Sequence, residues 1–300
     1  LLILLIPFLR RVKYGQSIRK VGPQSHLSKQ GTPTMGGIAF GIAVLTVFIV
    51  LSRFVKIDYL LLYIIPFILY LLIGFIDDYL IVVRKSNDGL SPKVKLLMQI
   101  IGAAIYYFVY LDYGLSTSVK AFNIEIDLKW GYGILILLMF VATTNAVNLS
   151  DGVDGLASGL SIISLVAIAI ISYFLNNSNV FAFVIIMTAS LMGFLCFNAN
   201  PAKVFMGNTG SMLLGAVLAN LMILMKLELL LVVLAAVFVI ETISVIAQVI
   251  YFKKTKGKRL FLMSPIHHHF ELKGYSEWQI DIMFWLVAII AAIITIMMVL

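Results

Sequence analysis

Long apolar runs, many of them close to one bilayer crossing in length, recur along this chain and are separated by short polar loops. They fall near residues 1–9, 34–52, 59–76, 96–111, 131–148, 157–175, 180–197, 210–225, 229–252 and 279–300. A helix needs about 20 apolar residues to cross roughly 30 Å of hydrocarbon, and only helices and closed barrels satisfy their own backbone there. The pattern predicts an all-α polytopic membrane protein of about ten transmembrane helices, forming a single transmembrane domain over residues 1–300. The opening run, LLILLIPFL, is short and precedes Arg10 and Arg11, the reverse of a signal peptide's order. It is expected to be a first transmembrane helix truncated at residue 1. Within 112–130 the stretch AFNIEIDL alternates with the period of a strand, which predicts a small extracytoplasmic β-hairpin. Neither an internal repeat nor a domain-separating linker is evident.

Composition agrees with lipid as the solvent. Apolar residues make up 62% of the chain, charged residues 12%, and the mean hydropathy is +1.06. The net charge of +8 does not indicate nucleic acid, because the basic residues sit between spans. If every run crosses, the loops at 10–33, 77–95, 149–156, 198–209 and 253–278 share one side and hold 17 of the 22 Lys and Arg. The positive-inside bias makes that side cytoplasmic. Cys196 is the only cysteine, lies in an apolar run, and reads as a packing residue.

Nearly every residue able to do chemistry lies in those same five loops. In KQGTPTMGG, Lys29 and Thr34 belong to a glycine-rich entry to the second span that either binds phosphate oxygens or is an ordinary helix start. The third span ends in LLIGFIDDYL, where Asp77 and Asp78 stand at the membrane edge. Carboxylates disfavour a helix C-terminus, and neighbours about 100° apart diverge, so different roles are expected for the two. Lys93 and Lys95 follow, either as phosphate partners or as membrane anchors. TTNAVNLSDGVDGLASG collects Asn145, Asn148, Asp151, Gly152 and Asp154, able to cap the sixth helix or to hold a hard cation. FNANPAKVFMGNTGSM carries Asn198, Phe205 and Asn208, with Phe205 offering a face to a base and Asn208 or Thr209 a helix cap. The last loop groups His267, His268 and His269 beside lysines, which suits phosphate better than zinc. Glu241 falls within the ninth apolar run, where an unpaired charge costs at least ~2.5 kcal/mol, so a partner or a break is required.

The motifs GTPTMGG, GFIDDY, NAVNLSDGVDGLASG, NPAKVFMGNTGS and PIHHHFELKG, in this order, resemble those of the phospho-N-acetylmuramoyl-pentapeptide transferases, within the polyprenyl-phosphate N-acetylhexosamine phosphate transferase superfamily. The resemblance extends from about Gln16 to the end of the chain. It implies a magnesium-dependent transfer of phospho-MurNAc-pentapeptide from UDP-MurNAc-pentapeptide to undecaprenyl phosphate, giving lipid I and UMP for bacterial cell-wall synthesis. It also implies an inner-membrane protein with a cytoplasmic-face active-site cleft, and a homodimer as a family-level expectation. By matching positions, Asp77, Asp78, Asp151 and His267 would be the catalytic residues, with Asp77 at the lipid phosphate and Asp78 and Asp151 at the magnesium and pyrophosphate. Lys29, Thr34, Lys95, Asn145, Asn148, Gly152, Asp154, Asn198 and Phe205 would bind substrate, with Phe205 on uracil and His267, His268 and His269 toward the sugar phosphate. One departure stands out: the family pattern has a magnesium-binding Asp where this chain has Asn208, which implies weaker metal binding or slower turnover. A transporter or flippase is the rival reading, but transporters gather polar groups at the midplane, and these groups cluster at one surface.

Overall fold

A computed structural model of the chain describes residues 1–11, 29, 31–84, 89–121 and 124–300. Most of the first basic loop and the tip of the expected hairpin lie outside the described residues. Apolar runs in lipid have no water to satisfy their N–H and C=O groups, so each closes on itself as a helix. In chain order the elements are α1 (Leu2–Arg11), α2 (Gly37–Leu51), α3 (Leu60–Arg84), α4 (Pro92–Asp112), strands β1 (Ser118–Ala121) and β2 (Ile124–Asp127), α5 (Gly131–Ser150), α6 (Leu156–Phe174), α7 (Ser178–Asn198), α8 (Gly207–Leu224), α9 (Leu231–Leu234), α10 (Ala236–Lys254), α11 (Ile266–Leu272) and α12 (Glu277–Val299). Among the described residues, eight helices are long and apolar enough to cross a membrane: α3 to α8, α10 and α12. The run at 34–52 forms the 15-residue α2.

Three boundaries differ from the sequence reading. The third span does not stop at residue 76 but continues as helix to Arg84, so Asp77 and Asp78 lie inside α3 rather than at its end. The ninth run is interrupted: a 3₁₀ turn at Glu228–Leu230 leads into the four-residue α9, Ala235 leaves helical geometry, and α10 then begins. The three histidines, expected in a loop, sit on the short helix α11. The hairpin is present, with β1 antiparallel to β2 and Ser118 opposite Asp127.

The organising element is α8. Most of it is enclosed by protein, and α2, α3, α5 and α6 pack around it. Membrane helices gain little from the hydrophobic effect when they associate, so they rely on close backbone approach at small residues. Glycines supply it on three sides. A Cβ on Gly37 of α2 would strike Gly210, one on Gly74 of α3 would strike the Asn208 carbonyl, and one on Gly215 of α8 would strike the Thr144 backbone of α5.

Beyond the far end of α8 the chain is fixed by a polar clasp. The Lys226 ammonium lies 2.9 Å from the Tyr132 hydroxyl, 2.9 Å from the Ser116 carbonyl and 3.2 Å from Glu228. Tyr132 in turn donates to Glu228 Oε1 at 2.5 Å, so that one oxygen of the buried Glu228 carboxylate is both ion-paired and hydrogen-bonded. This ties α4, α5 and the hairpin to the turn after α8.

Because Gly215 meets α5 backbone, which cannot rotate away as a side chain can, Gly215→Ala is expected to cost about 1–3 kcal/mol. Thermal unfolding in detergent measures this; an unchanged midpoint would contradict the close α5–α8 approach.

Candidate active site

Asp77 and Asp78 are adjacent, almost fully buried and differently engaged. Asp78 turns to the start of α8. Its Oδ1 accepts from the Asn208 amide N–H at 2.9 Å, and its Oδ2 from the Thr209 N–H at 2.8 Å and the Thr209 hydroxyl at 2.6 Å. A helix leaves its first amides without internal partners and carries partial positive charge there, so a carboxylate from α3 is a strong cap. Gly207 makes the approach possible. Its φ is +72°, and a Cβ there would meet Asp78 Oδ2 and Thr34 Oγ1, which places Thr34 against the same turn.

Asp77 points elsewhere. Its Oδ1 accepts from the Leu90 N–H at 2.6 Å, and its Oδ2 lies 2.6 Å from the Lys95 ammonium and accepts from the Asn208 side-chain amide at 2.5 Å. The Asn148 side-chain amide donates to the Asn208 carbonyl oxygen and, at 2.9 Å, to the Ser211 hydroxyl. Asp77, Asp78, Lys95, Asn148 and Asn208 thus form one continuous cluster from α3, α4, α5 and α8. Asn145 sits one turn before Asn148 and donates to Gln99 at 3.1 Å, which joins α5 to α4.

Asp151 follows immediately after α5 and is half-buried. Among the described residues no protein group donates to its carboxylate. Burial, with the negative charges of Asp78 and Asp154, pushes its pKa well above the ordinary carboxylate value.

A second cluster surrounds Lys29. Its ammonium is 2.7 Å from Asp154 and 2.6 Å from Glu277. Desolvation alone would lower the Lys29 pKa, but the charges and hydrogen bonds of Asp154 and Glu277 outweigh it and hold the pKa above the usual lysine value. Asp154 does not cap α6. It accepts from the Ala202 N–H at 2.9 Å and the Asn200 side chain at 3.3 Å, which secures the loop carrying Phe205. Asn198 closes the same loop, accepting from the Ser158 hydroxyl at 2.7 Å and donating to the Val204 carbonyl at 3.1 Å. The backbone of Phe205 pairs with Pro33 and Gly36, and its ring is half-buried with no aromatic neighbour among the described residues.

The histidines diverge as neighbours on a helix must. His267 is fully buried and packs against Gly152, where a Cβ would collide with the imidazole. His268 lies 2.5 Å from Glu271, and His269 accepts from the Leu262 N–H at 3.1 Å. Sequence reading did not single out Glu277, Gln99 or Leu90. Glu277 looks like an acid in the first turn of α12, and only the fold reveals Lys29 as its partner.

With this geometry in view, residues 60–226 match glycosyl transferase family 4, and residues 29–40 match phospho-N-acetylmuramoyl-pentapeptide-transferase signature 1. A phospho-N-acetylmuramoyl-pentapeptide-transferase of Bacillus velezensis is 49% identical over 297 residues, covering 97% of this chain and 91% of that protein. The chain belongs to the phospho-N-acetylmuramoyl-pentapeptide-transferase family. Proteins of the same name from Bacillus subtilis, 48% identical, and Staphylococcus aureus, 49% identical, each cover 97% of this chain and 91% and 92% of their own length. For a transferase of this family the α3–α8 cluster, lying where several spans end together, is the candidate centre. Among the described residues no three His, Cys, Asp or Glu side chains converge as a ready-made metal cage. The uncompensated Asp151 beside Asp78 is nevertheless what a site awaiting positive charge requires, and two carboxylates are enough for a cation that takes its other ligands from phosphate.

The raised Asp151 pKa has a consequence for stability. Between its unfolded and folded pKa values the folded protein holds the extra proton, so stability falls as pH rises through that window. Asp151→Asn is therefore expected to unfold at a higher temperature than the parent at pH 8, and to lose that advantage near pH 4 and below, close to the unfolded carboxylate pKa of about 3.9. Equal unfolding temperatures at pH 8 would overturn this.

Proposed function

We propose that this chain transfers phospho-MurNAc-pentapeptide from UDP-MurNAc-pentapeptide to undecaprenyl phosphate, releasing UMP and leaving lipid I in the membrane. The cleft opens to the cytoplasm at a bacterial inner membrane, in agreement with the concentration of basic residues on that side. Similarity along nearly the whole length to proteins of this name carries the reading. The acidic and amide cluster at the start of α8 supports it, since the reaction needs anionic groups brought together at the membrane edge.

The preferred chemistry is a direct in-line displacement. An oxygen of the lipid phosphate forms a bond to the sugar-linked phosphorus, the bond from that phosphorus to the bridging oxygen breaks, and the electron pair leaves with UMP. Asp77, oriented by the Leu90 amide and neutralised by Lys95, meets the lipid phosphate and takes any proton it carries. Asn145, Asn148 and Gly152 line the path between the spans. Lys29, Asp154 and Asn198 hold the loop that presents Phe205, whose ring offers a face to uracil. The Asp151–Gly152 turn receives the sugar phosphate, with the buried His267 packed behind it and His268 beside that ring, while His269 supports the preceding loop and Thr34 the turn at Gly207. Positioning and charge neutralisation lower the barrier.

Magnesium is the cation that suits Asp78 and Asp151, with the Asn208 carbonyl oxygen as a neutral third ligand. Bound there it supplies positive charge against the pyrophosphate. Asn208 sets the terms of that binding. Its amide donates to Asp77 Oδ2 at 2.5 Å, so an Asp in its place would put two carboxylates in contact. Like charges at that distance demand a proton or a cation.

Magnesium-dependent release of UMP in detergent tests the reading. Asp77→Ala is expected to reduce turnover by at least about 100-fold. Parent-like activity in that variant, or no activity in the folded parent, would reject the assignment. Asn208→Asp is expected to be more active than the parent at limiting magnesium, and to unfold at a lower temperature in a chelator than in magnesium, by a wider margin than the parent shows. If Asn208→Asp is no more active and no more magnesium-sensitive in its unfolding, Asn208 does not set the metal affinity.

A further inference from the structure

Glu241 lies inside the apolar run of α10 and is fully buried; its partner is His267 of α11, also fully buried, with Glu241 Oε1 and His267 Nδ1 3.1 Å apart. That contact is at an ion-pair distance, its alignment falls short of a hydrogen bond, and among the described residues no other group hydrogen-bonds to either carboxylate oxygen or either ring nitrogen. The opposite edge of the imidazole, Nε2, abuts Gly152, the residue after Asp151. The ring therefore bridges a carboxylate held within a span and the turn at the end of α5. The His268 ring packs on it at 4.1 Å between centroids and has its own carboxylate, Glu271.

We propose that Glu241 is a positioning residue for the transfer reaction: its carboxylate accepts a hydrogen bond from Nδ1–H of His267 and so fixes the ring with Nε2 turned to the Asp151–Gly152 turn. The proposal rests on the transferase reading above, in which that turn receives the phospho-sugar. An imidazole has two tautomers and two flipped orientations, and the proton's location follows the hydrogen bond that the other nitrogen makes. A carboxylate on one nitrogen selects a single arrangement in advance, as carboxylate partners do for metal-binding histidines. Glu241 is fully buried against the equally buried His267, so it acts through His267 and not on the substrate. The same pairing explains how a carboxylate persists within an apolar helix.

Two measurements test this. In detergent-solubilised parent protein with ¹⁵N-labelled histidine, the His267 resonances, assigned by their loss in His267→Asn, are expected to show a protonated Nδ1; a tautomer protonated only at Nε2 overturns the proposal, whatever the activity. In UMP-release kinetics, Glu241→Gln is expected to lower kcat by about 10–100-fold with little change in KM for the nucleotide substrate. Introduced into a His267→Asn background it is expected to cause no further loss. A parent-like kcat in Glu241→Gln, or an undiminished loss in the double variant, overturns the proposal. Should Glu241→Gln fail to fold, the labelling experiment on the parent still decides. If the transferase reading were wrong, the parent would release no UMP while the tautomer result stood unaffected.

Discussion

The capping of α8 by Asp78 is the interaction on which the remaining geometry depends. The helix starts inside the protein, where its first amides have no water to turn to, and the backbone accounting of a membrane interior requires acceptors for them. The Asp78 carboxylate from α3 is such an acceptor, taking hydrogen bonds from two backbone N–H groups and one hydroxyl. That contact fixes the height of α8 relative to α3, and Gly74 lets the two backbones approach at the same level. Once Asp78 is committed, Asp77 must project about 100° away, toward Lys95 and Asn208. One of the two adjacent acids thus caps α8, and the other turns to Leu90, Lys95 and Asn208.

The membrane also dictates where charge is tolerated. Lys226 and Glu228 secure the chain just past one end of α8, and Asp78 holds the other, so the most enclosed helix is pinned at both ends by polar groups. The amide of Asn148 then ties α5 to α8, and Gln99 ties α5 to α4 through Asn145. These side-chain bonds are individually modest. Their alternative, an unsatisfied polar group in hydrocarbon, costs more than the bond itself contributes.

Much of this was legible in the chain itself. Apolar runs and loop charges located the spans, because length and hydropathy are nearly sufficient where lipid is the solvent. The motif residues were found because acids, amides and histidines are conspicuous between such runs. What sequence could not convey was continuity and partnership. The helix at 59–76 extends to Arg84 through Asp77 and Asp78, whose carboxylates are buried by partners on α4 and α8 and the loop before α4, and a hydropathy pattern cannot register that. The break near Ala235 has no proline or glycine to announce it. Lys29 looked free to meet phosphate, yet the fold gives it Asp154 and Glu277 at separations of 125 and 248 residues. Glu241 demanded a partner on energetic grounds, and only the placement of α11 supplied His267.

The distribution of charge bears on the proposed transfer between two phosphorylated molecules. Asp77 is neutralised by Lys95, Asp78 by the N-terminal amides of α8, and Lys29 is fully occupied by two carboxylates. Among the described residues no protein group donates to Asp151, and burial with the charges of Asp78 and Asp154 holds its pKa above the ordinary carboxylate value, which a bound cation would relieve. A pyrophosphate and a lipid phosphate together would add several negative charges to a site with no free ammonium among these groups. In the proposed reaction, cation binding and substrate binding would therefore be thermodynamically linked: each would relieve a repulsion that the other would meet alone. Asn208 would weaken that linkage from one side, since its amide donates to Asp77 where a second carboxylate would require a cation.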